Sequence, residues 1–331
     1  MHDARREAFD RVGGRFDVRV LEPSPPAILE GPWYADDPVA IEPRDLERPL
    51  VSPVPGGDLT WDQLARDEPV LRDWCADRWL GAWRRLQSIA DLRALSATRV
   101  SWHVLAEHVV AAARHRANGK IGLRFTRDGF GTPFFAESAG SPRPSGPATQ
   151  VRIEGAEIVV VCGDDVERAE ISTPAAAGRM VGVEPGAPRE VFPPTTELHV
   201  DALLIVDAGS GRLLSDWFGF TCSLLETLRA EARSTDTRTQ LWPEHFDLSI
   251  ELGDQAARTR GTFGASPGDR EHPEPYLYVT HWSPDTTADP FWNDEAFAGA
   301  SLPYRDLLEV DDQRGAALAF FRNGLRVLSG G

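Results

Sequence analysis

The stretch that decides the fold class lies at residues 241–282 and reads LWPEHFDLSIELGDQAARTRGTFGASPGDREHPEPYLYVTHW. In the segment HFDLSIEL apolar and polar residues alternate strictly, which is the period of a β-strand with one buried face. Phe246 and Leu248 fall on the apolar face, whereas His245 and Asp247 fall on the polar face. The segment YLYVTHW alternates in the same way. The whole stretch therefore predicts paired strands that are joined by turns rich in Gly and Pro.

Outside this stretch, further pairs of alternating segments are joined by turn residues, as is typical of β-hairpins. We predict hairpins at residues 120–125 with 130–135, at 150–153 with 157–162, and at 197–206 with 212–220, with a single strand near 167–171. The strands do not alternate regularly with helices, as a doubly wound sheet would require. We therefore predict an α+β fold with antiparallel sheets built from hairpins.

Helical spacing of apolar residues predicts four longer helices and one short one. The longer ones cover residues 58–95, 101–116, 223–233 and 311–328, and the short one begins at Pro174. Ser223 and Glu226 have the spacing of a capping box, which predicts a helix start at Ser223. We expect a Pro-rich arm at 1–57, a helical portion at 58–117 and a β-rich body at 118–331. Two related halves, about 101–183 and 197–331, remain an open alternative for the body.

The charge balance bears on the class of partner. The 331 residues carry 35 Lys and Arg against 51 Asp and Glu, a formal charge of −16. An acidic surface repels phosphate, so we expect neither nucleic acid nor an anionic membrane as partner. No P-loop and no dinucleotide-binding fingerprint occurs in the sequence. The charged amino terminus predicts no signal peptide, and we expect a cytoplasmic location.

One hypothesis for the site is a metal centre within the opening stretch. His245 and Asp247 share the polar face of the predicted strand, and the loop GASPGDREHPEP would add Asp269, His272 and Glu274. Imidazole and carboxylate together suit a divalent transition metal such as Zn, Mn or Fe, and an open coordination position would activate water. These residues would then serve a metal-assisted hydrolase. The polar side of a half-exposed strand would have the same composition, and that interpretation stays open.

The other main hypothesis is a ligand- or partner-binding protein without catalysis. Tyr276, Tyr278 and Trp282 share one face of the last predicted strand, and Tyr and Trp are enriched in binding surfaces. A third, weaker candidate is Cys222, which would lie between a strand and the amino terminus of a helix, where a thiolate is favoured. On the helix at 101–116 we interpret His103, Glu107, His108 and His115 as a surface face with one buried histidine.

Several runs of the sequence resemble an uncharacterised family of actinobacterial proteins with no assigned activity. The runs are WPEHFDL, GASPGDREHPEPYLYV, NGKIGLRFTRDGFGTPFF and VDALLIVDAGSGRLLSDWFGF. The resemblance covers about residues 100 to 330. It implies no catalytic residues, because the family offers none to transfer.

Overall fold

The protein was analysed as a computed structural model that describes residues 85–126, 128–132, 135–137, 145–162, 165–232, 239–283 and 289–330. The predicted fold class is confirmed: two antiparallel sheets pack with helices at both ends of the described chain. The predicted arm at 1–57 and residues 58–84 of the predicted helical portion lie outside the described residues. Among those residues, no helix is long and apolar enough to cross a membrane.

A long helix opens the described chain. It consists of α1 (Leu92–Leu105), a π-helical turn (Ala106–Val110) and α2 (Ala111–Asn118), and it ends at Gly119 as predicted. The predicted break between helices at 96–100 is wrong, and residues 85–91, predicted to be helical, are irregular. The helix begins at Leu92 because the Asp91 side chain caps it by accepting from the amides of Arg93 and Ala94. Capping of this kind satisfies amide groups that have no partner within the helix.

The first sheet has six strands and follows the long helix. Its main path is β1-β2-β4-β5-β6, and β3 pairs with β4. The predicted hairpins at 120–135 and 150–162 and the strand near 167–171 are confirmed, and the short helix α3 (Pro174–Val181) follows them. The strands are β1 (Arg124–Thr126), β2 (Gly129–Gly131), β3 (Phe135–Glu137), β4 (Ser145–Glu154), β5 (Glu157–Cys162) and β6 (Asp165–Glu170).

The predicted hairpin at 197–220 is wrong. Residues 182–207 form an irregular connecting segment, and α4 (Ala208–Glu231) is one helix of 24 residues. The predicted turn of that hairpin, DAGSG at 207–211, is instead the start of the helix, since the Asp207 carboxylate accepts from the amide and hydroxyl of Ser210 and thereby caps α4. The buried residues of α4 recur at helical spacing, which a strand does not show. They include Leu214, Trp217, Phe218, Thr221, Leu224, Leu225 and Leu228.

The second sheet follows α4 in the order β11-β10-β9-β8-β7. One face is apolar and joins the core through residues such as Leu248, Phe263 and Leu277, which are fully buried. Helix α4 lies against both sheets and against α1 and α6. The remaining elements are β7 (Gln240–Trp242), β8 (Asp247–Leu252), β9 (Gly261–Ser266), β10 (Tyr276–His281), β11 (Gly299–Pro303), α5 (Tyr304–Leu308) and α6 (Gln313–Leu328).

Polar side chains on α1 hold three separate loops in place. The hydroxyls of Thr98 and Ser101 accept from amides of the connecting segment, at 2.9 Å each. The Arg99 guanidinium donates to the carbonyls of Pro273 and Asp269 in the β9–β10 loop. His103 contacts a carbonyl in the β7–β8 turn at 2.9 Å. Because buried polar groups need partners, these bonds explain why polar residues occur within a buried helix.

Candidate functional site

The polar face of the second sheet brings a tyrosine and an aspartate from different strands together. Tyr278 on β10 lies opposite Gly264 on the neighbouring strand β9. A Cβ atom at Gly264 would overlap the Tyr278 ring, so only glycine leaves room for that ring to cross β9. The Tyr278 hydroxyl thereby reaches β8 and donates a hydrogen bond to Oδ2 of Asp247.

Asp247 is the most strongly perturbed carboxyl group of this face. Its residue is 6% exposed, and within the described part of the chain its Oδ1 atom has no hydrogen-bond partner. Burial raises its pKa to about 6, although the hydrogen bond from Tyr278 and the charge of His245 act in the opposite direction, and the charge of Glu244 adds to the rise. Desolvation disfavours a charged carboxylate in this way. Asp247 is therefore an acceptor without enough donors.

A second tyrosine–aspartate pair lies beside the first. The Tyr276 hydroxyl donates to Oδ2 of Asp269 at 2.6 Å, and Oδ1 of Asp269 accepts from the amides of Glu271 and His272. The His272 ring packs on Tyr276, with centroids 4.5 Å apart, and its Nε2 lies 3.1 Å from Asp294. The β9–β10 loop thus folds back onto the polar face, and its carboxylate is already fully engaged there.

The five residues of the metal hypothesis do not form one coordination sphere. Among the residues that the structure describes, no group of three or more His, Cys, Asp and Glu side chains could hold a metal ion. His245 is exposed in the β7–β8 turn and not on the strand face that was predicted for it. Asp269 and His272 do come together, 3.6 Å apart. Glu274 lies elsewhere, near Tyr304, where its charge adds to the effect of burial in raising the tyrosine pKa. The metal-assisted hydrolase stays a prediction.

Neither Trp282 nor Cys222, two further candidates from the sequence, lies in the environment that its predicted role requires. Trp282 is 43% exposed, its Nε1 donates to Thr262, and the Arg260 guanidinium lies 4.7 Å from its ring centre. Cys222 lies in the middle of α4, so its predicted place at a helix amino terminus is wrong. A mid-helix cysteine lacks the positive end of the helix dipole that favours a thiolate. The predicted helix start at Ser223 is wrong for the same reason.

Glu107 is buried, which corrects its interpretation as a surface residue, whereas His108 is the one histidine of this set that is buried, as predicted. The Glu107 carboxylate accepts hydrogen bonds from the amides and hydroxyls of Thr195 and Thr196 in the connecting segment. Nδ1 of His108 accepts from the Ala187 amide, which leaves Nε2–H to donate to the Thr196 carbonyl. Burial lowers the pKa of His108, in keeping with a neutral ring. The residues serve to hold the connecting segment against the helix.

The structure also contains a cleft that the sequence did not indicate. The α1 cleft, with a volume of about 540 Å³, lies between α1 and the connecting segment, and Pro174 contributes to its lining. Val100 on the helix wall is 52% exposed, and Leu203 and Ile205 on the opposite wall are 79% and 63% exposed. Residues 202–206 belong to the strand predicted at 197–206, which the structure does not contain. All five residues are apolar, so sequence pattern does not separate Leu204 and Val206, which pack against the core, from Leu203 and Ile205, which are exposed.

Comparison with known proteins does not add to this picture. No family model matches the chain, and no curated protein and no solved structure is significantly similar to it.

Proposed function

We propose that the protein binds a small apolar molecule in the α1 cleft and that it acts by binding, not by catalysis. The observation that carries this proposal is the exposure of Leu203 and Ile205 on one wall, opposite Val100 on the other. Single exposed apolar residues are common, but a group of them around a concave surface marks an interaction site. Burying these side chains against a ligand would remove their apolar surface from water.

The dimensions of the α1 cleft suit a ligand of moderate size. Its volume of about 540 Å³ lies within the range of small-molecule sites, roughly 300–1,000 Å³. The helix residues that line it extend from Arg93 to Val104, which corresponds to about 16 Å along the helix axis. An elongated molecule therefore fits the cleft better than a compact one.

The wall that carries Leu203 and Ile205 is fixed before a ligand arrives. The Ile205 amide donates to Oγ of Ser101, and the Leu204 amide donates to the Ser172 carbonyl at 2.8 Å. Two residues further on, the Asp207 amide donates to Thr98. A preorganised wall reduces the ordering cost of association and so favours affinity.

The polar residues of the lining support binding more than chemistry. Ser96, Ser101, Glu197 and His199 are the residue types of a hydrolytic triad, and such a triad requires a serine that is hydrogen-bonded to the histidine. His199 instead pairs with Glu197 through Nε2 at 3.3 Å, and Oγ of Ser101 accepts from the Ile205 amide. Within the described residues no hydrogen bond is found between His199 and either serine.

The test is a fluorescence titration with N-phenyl-1-naphthylamine, a neutral probe that becomes bright in apolar sites. We expect saturable binding to one site. Leu203→Ser and Ile205→Ser should each weaken binding by about tenfold, since burying such a side chain contributes about 1.5–3 kcal/mol and 1.4 kcal/mol corresponds to about tenfold. Thermal unfolding of both variants should be unchanged, because the two side chains are exposed.

Val191→Ser is the matched control. Val191 is 48% exposed in the same connecting segment but does not line the cleft. Its replacement should leave the affinity for the probe unchanged. A titration that does not saturate, or an equal loss in the Val191 variant, would show that the α1 cleft is not a binding site.

A further inference from the structure

Two acidic side chains at the start of β8 each have one buried oxygen without a hydrogen-bond partner among the described residues. The β7–β8 turn consists of residues 243–246, and Asp247 begins the strand directly after it. Oε2 of Glu244 and Oδ1 of Asp247 are both buried and have no hydrogen-bond partner within the described part of the chain. A buried charged oxygen without a donor carries a large desolvation cost. The pair therefore indicates a position that a donor from outside the chain could occupy.

The charges around Asp247 leave that position short of positive charge. Glu244 disfavours ionisation of Asp247, and His245 favours it. From β10 the Tyr278 hydroxyl supplies one hydrogen bond, and Tyr276 is close enough for its own pKa to be raised by the charge of Asp247, after burial and Asp269. The donors in place thus satisfy one of the two oxygens of Asp247.

Aromatic rings border the same position. The ring centres of Tyr276, Tyr278 and Phe297 are 6.2–6.3 Å from one another. The ring of Tyr278 is held over Gly264 by its hydrogen bond to Asp247. Aromatic faces attract cations through the negative charge of the ring face. A carboxylate next to such rings is suited to an organic ammonium group with an apolar body.

We propose that Glu244 and Asp247, together with the ring of Tyr278, form a binding site for a primary ammonium group of a small organic molecule. An ammonium group carries several N–H donors, one of which would satisfy Oδ1 of Asp247, and its positive charge would offset the repulsion between Asp247 and Glu244. A metal ion fits less well, because the described residues offer no group of three ligands for it. The site is separate from the α1 cleft, and neither proposal depends on the other.

Isothermal titration calorimetry with benzylammonium and with benzyl alcohol, which has the same body without the charge, tests this proposal. At about pH 8 Asp247 is ionised, since its pKa is about 6. We expect benzylammonium to bind at least about tenfold more tightly than the alcohol, because hydrogen bonds between charged groups are the stronger ones. Lowering the pH to about 5 should weaken benzylammonium and leave the alcohol unchanged. Equal affinities for the two probes, or no benzylammonium binding at millimolar concentration, would overturn the proposal.

Variants then locate the site. Asp247→Asn keeps the shape of the side chain and an acceptor for Tyr278. It should weaken the binding of benzylammonium by about tenfold or more. Asp269→Asn is the matched control, because both oxygens of Asp269 already accept hydrogen bonds, and it should bind as the unchanged protein does. If Asp247→Asn does not fold, Glu244→Gln replaces it with the same expectation. An equal loss in the Asp269 variant, or no loss in the Asp247 and Glu244 variants, would overturn the proposal.

Discussion

Replacing Asp247 by asparagine should stabilise the folded protein at neutral pH. Burial raises the pKa of Asp247 from 3.8 to about 6, against the opposing hydrogen bond from Tyr278. Each pH unit by which folding displaces a pKa corresponds to about 1.4 kcal/mol, so the ionised side chain costs about 3 kcal/mol. Asparagine resembles the protonated aspartic acid, retains an acceptor for the tyrosine and cannot ionise. The variant should therefore avoid most of this cost.

The sign of the effect follows from proton binding. Between about pH 4 and pH 6 the folded chain holds a proton on Asp247 that the unfolded chain has lost, so stability falls as the pH rises through this range. Above that range the destabilisation caused by ionised Asp247 no longer changes with pH. The free energy of unfolding of Asp247→Asn minus that of the unchanged protein should be near zero below about pH 4 and approach about 3 kcal/mol above about pH 7.

Urea unfolding at a series of pH values measures this difference. Asp294→Asn provides a control of opposite sign. Burial disfavours ionisation of Asp294, but hydrogen bonds from Ser301 and the Ala296 amide outweigh burial and lower its pKa. The Asp294 variant should lose stability at neutral pH and approach the unchanged protein in acid. If Asp247→Asn is less stable at pH 7, or if its advantage does not vary with pH, the unpaired state of Asp247 is refuted.

Three further predictions concern other residues. Gly264→Ala should cost about 1–3 kcal/mol, because the new methyl group displaces the Tyr278 ring, whereas Gly186→Ala, which meets no atom within 4 Å, should be neutral in the same unfolding assay. Glu107→Ala should speed hydrogen exchange at the backbone amides of Thr195 and Thr196, which donate to its carboxylate. The same variant should lower the free energy of unfolding by about 1–3 kcal/mol. Burial lowers the pKa of His103 to about 4. Below about pH 6.5 the unfolded chain therefore binds a proton at His103 that the folded chain does not, and the free energy of unfolding falls. Between pH 7 and pH 5 the free energy of unfolding of His103→Gln should fall less than that of the unchanged protein.

Local pattern was sufficient to predict most of the strands. Strands β4 and β8 contain segments in which apolar and polar residues alternate, whereas β5 is a continuous apolar run between turn residues, and both patterns are typical of strands. Helix α6 was predictable because its apolar residues recur at helical spacing and Asp312 caps it. The duplication into two halves stays a prediction, although each sheet follows a long helix.

Residues 208–222 of helix α4, which precede the helix predicted at 223–233, were missed because two local signals point away from a helix. The run DAGSG has the composition of a hairpin turn, and glycine is unfavourable inside a helix. Gly211 is nevertheless helical, since a Cβ there would lie only 3.3 Å from the Trp102 ring of α1. The close approach of α4 to α1 joins residues that are about one hundred positions apart in the chain, and local sequence pattern does not predict such a contact.

The polar residues of α1 show the same limit for the candidate sites. The sequence predicts a surface position for Glu107, because it shares a helix face with His103 and glutamate is mostly exposed, but its hydrogen-bond partners lie 88 and 89 positions away. The pairing of Asp247 with Tyr278 likewise depends on the two strands lying either side of β9. The sequence identified Asp247 as a candidate metal ligand and Tyr278 as a candidate binding residue, but it did not place them together. Their meeting, and the oxygen that it leaves unpaired, follow only from the order of strands in the sheet.

Several features that cost stability meet at the β7–β8 turn. Phe246 has a φ of 52°, a left-handed conformation that costs about 1–3 kcal/mol for a residue with a large side chain. The turn persists because its ring is enclosed by His103, Phe130 and Phe218 at 5.1–5.5 Å. The unpaired oxygens on either side of Phe246 add a further cost. Strain and unpaired acidic oxygens do not stabilise a turn that has only a structural role. A binding site for a cationic donor, in contrast, requires acceptors that are held in place before the ligand binds.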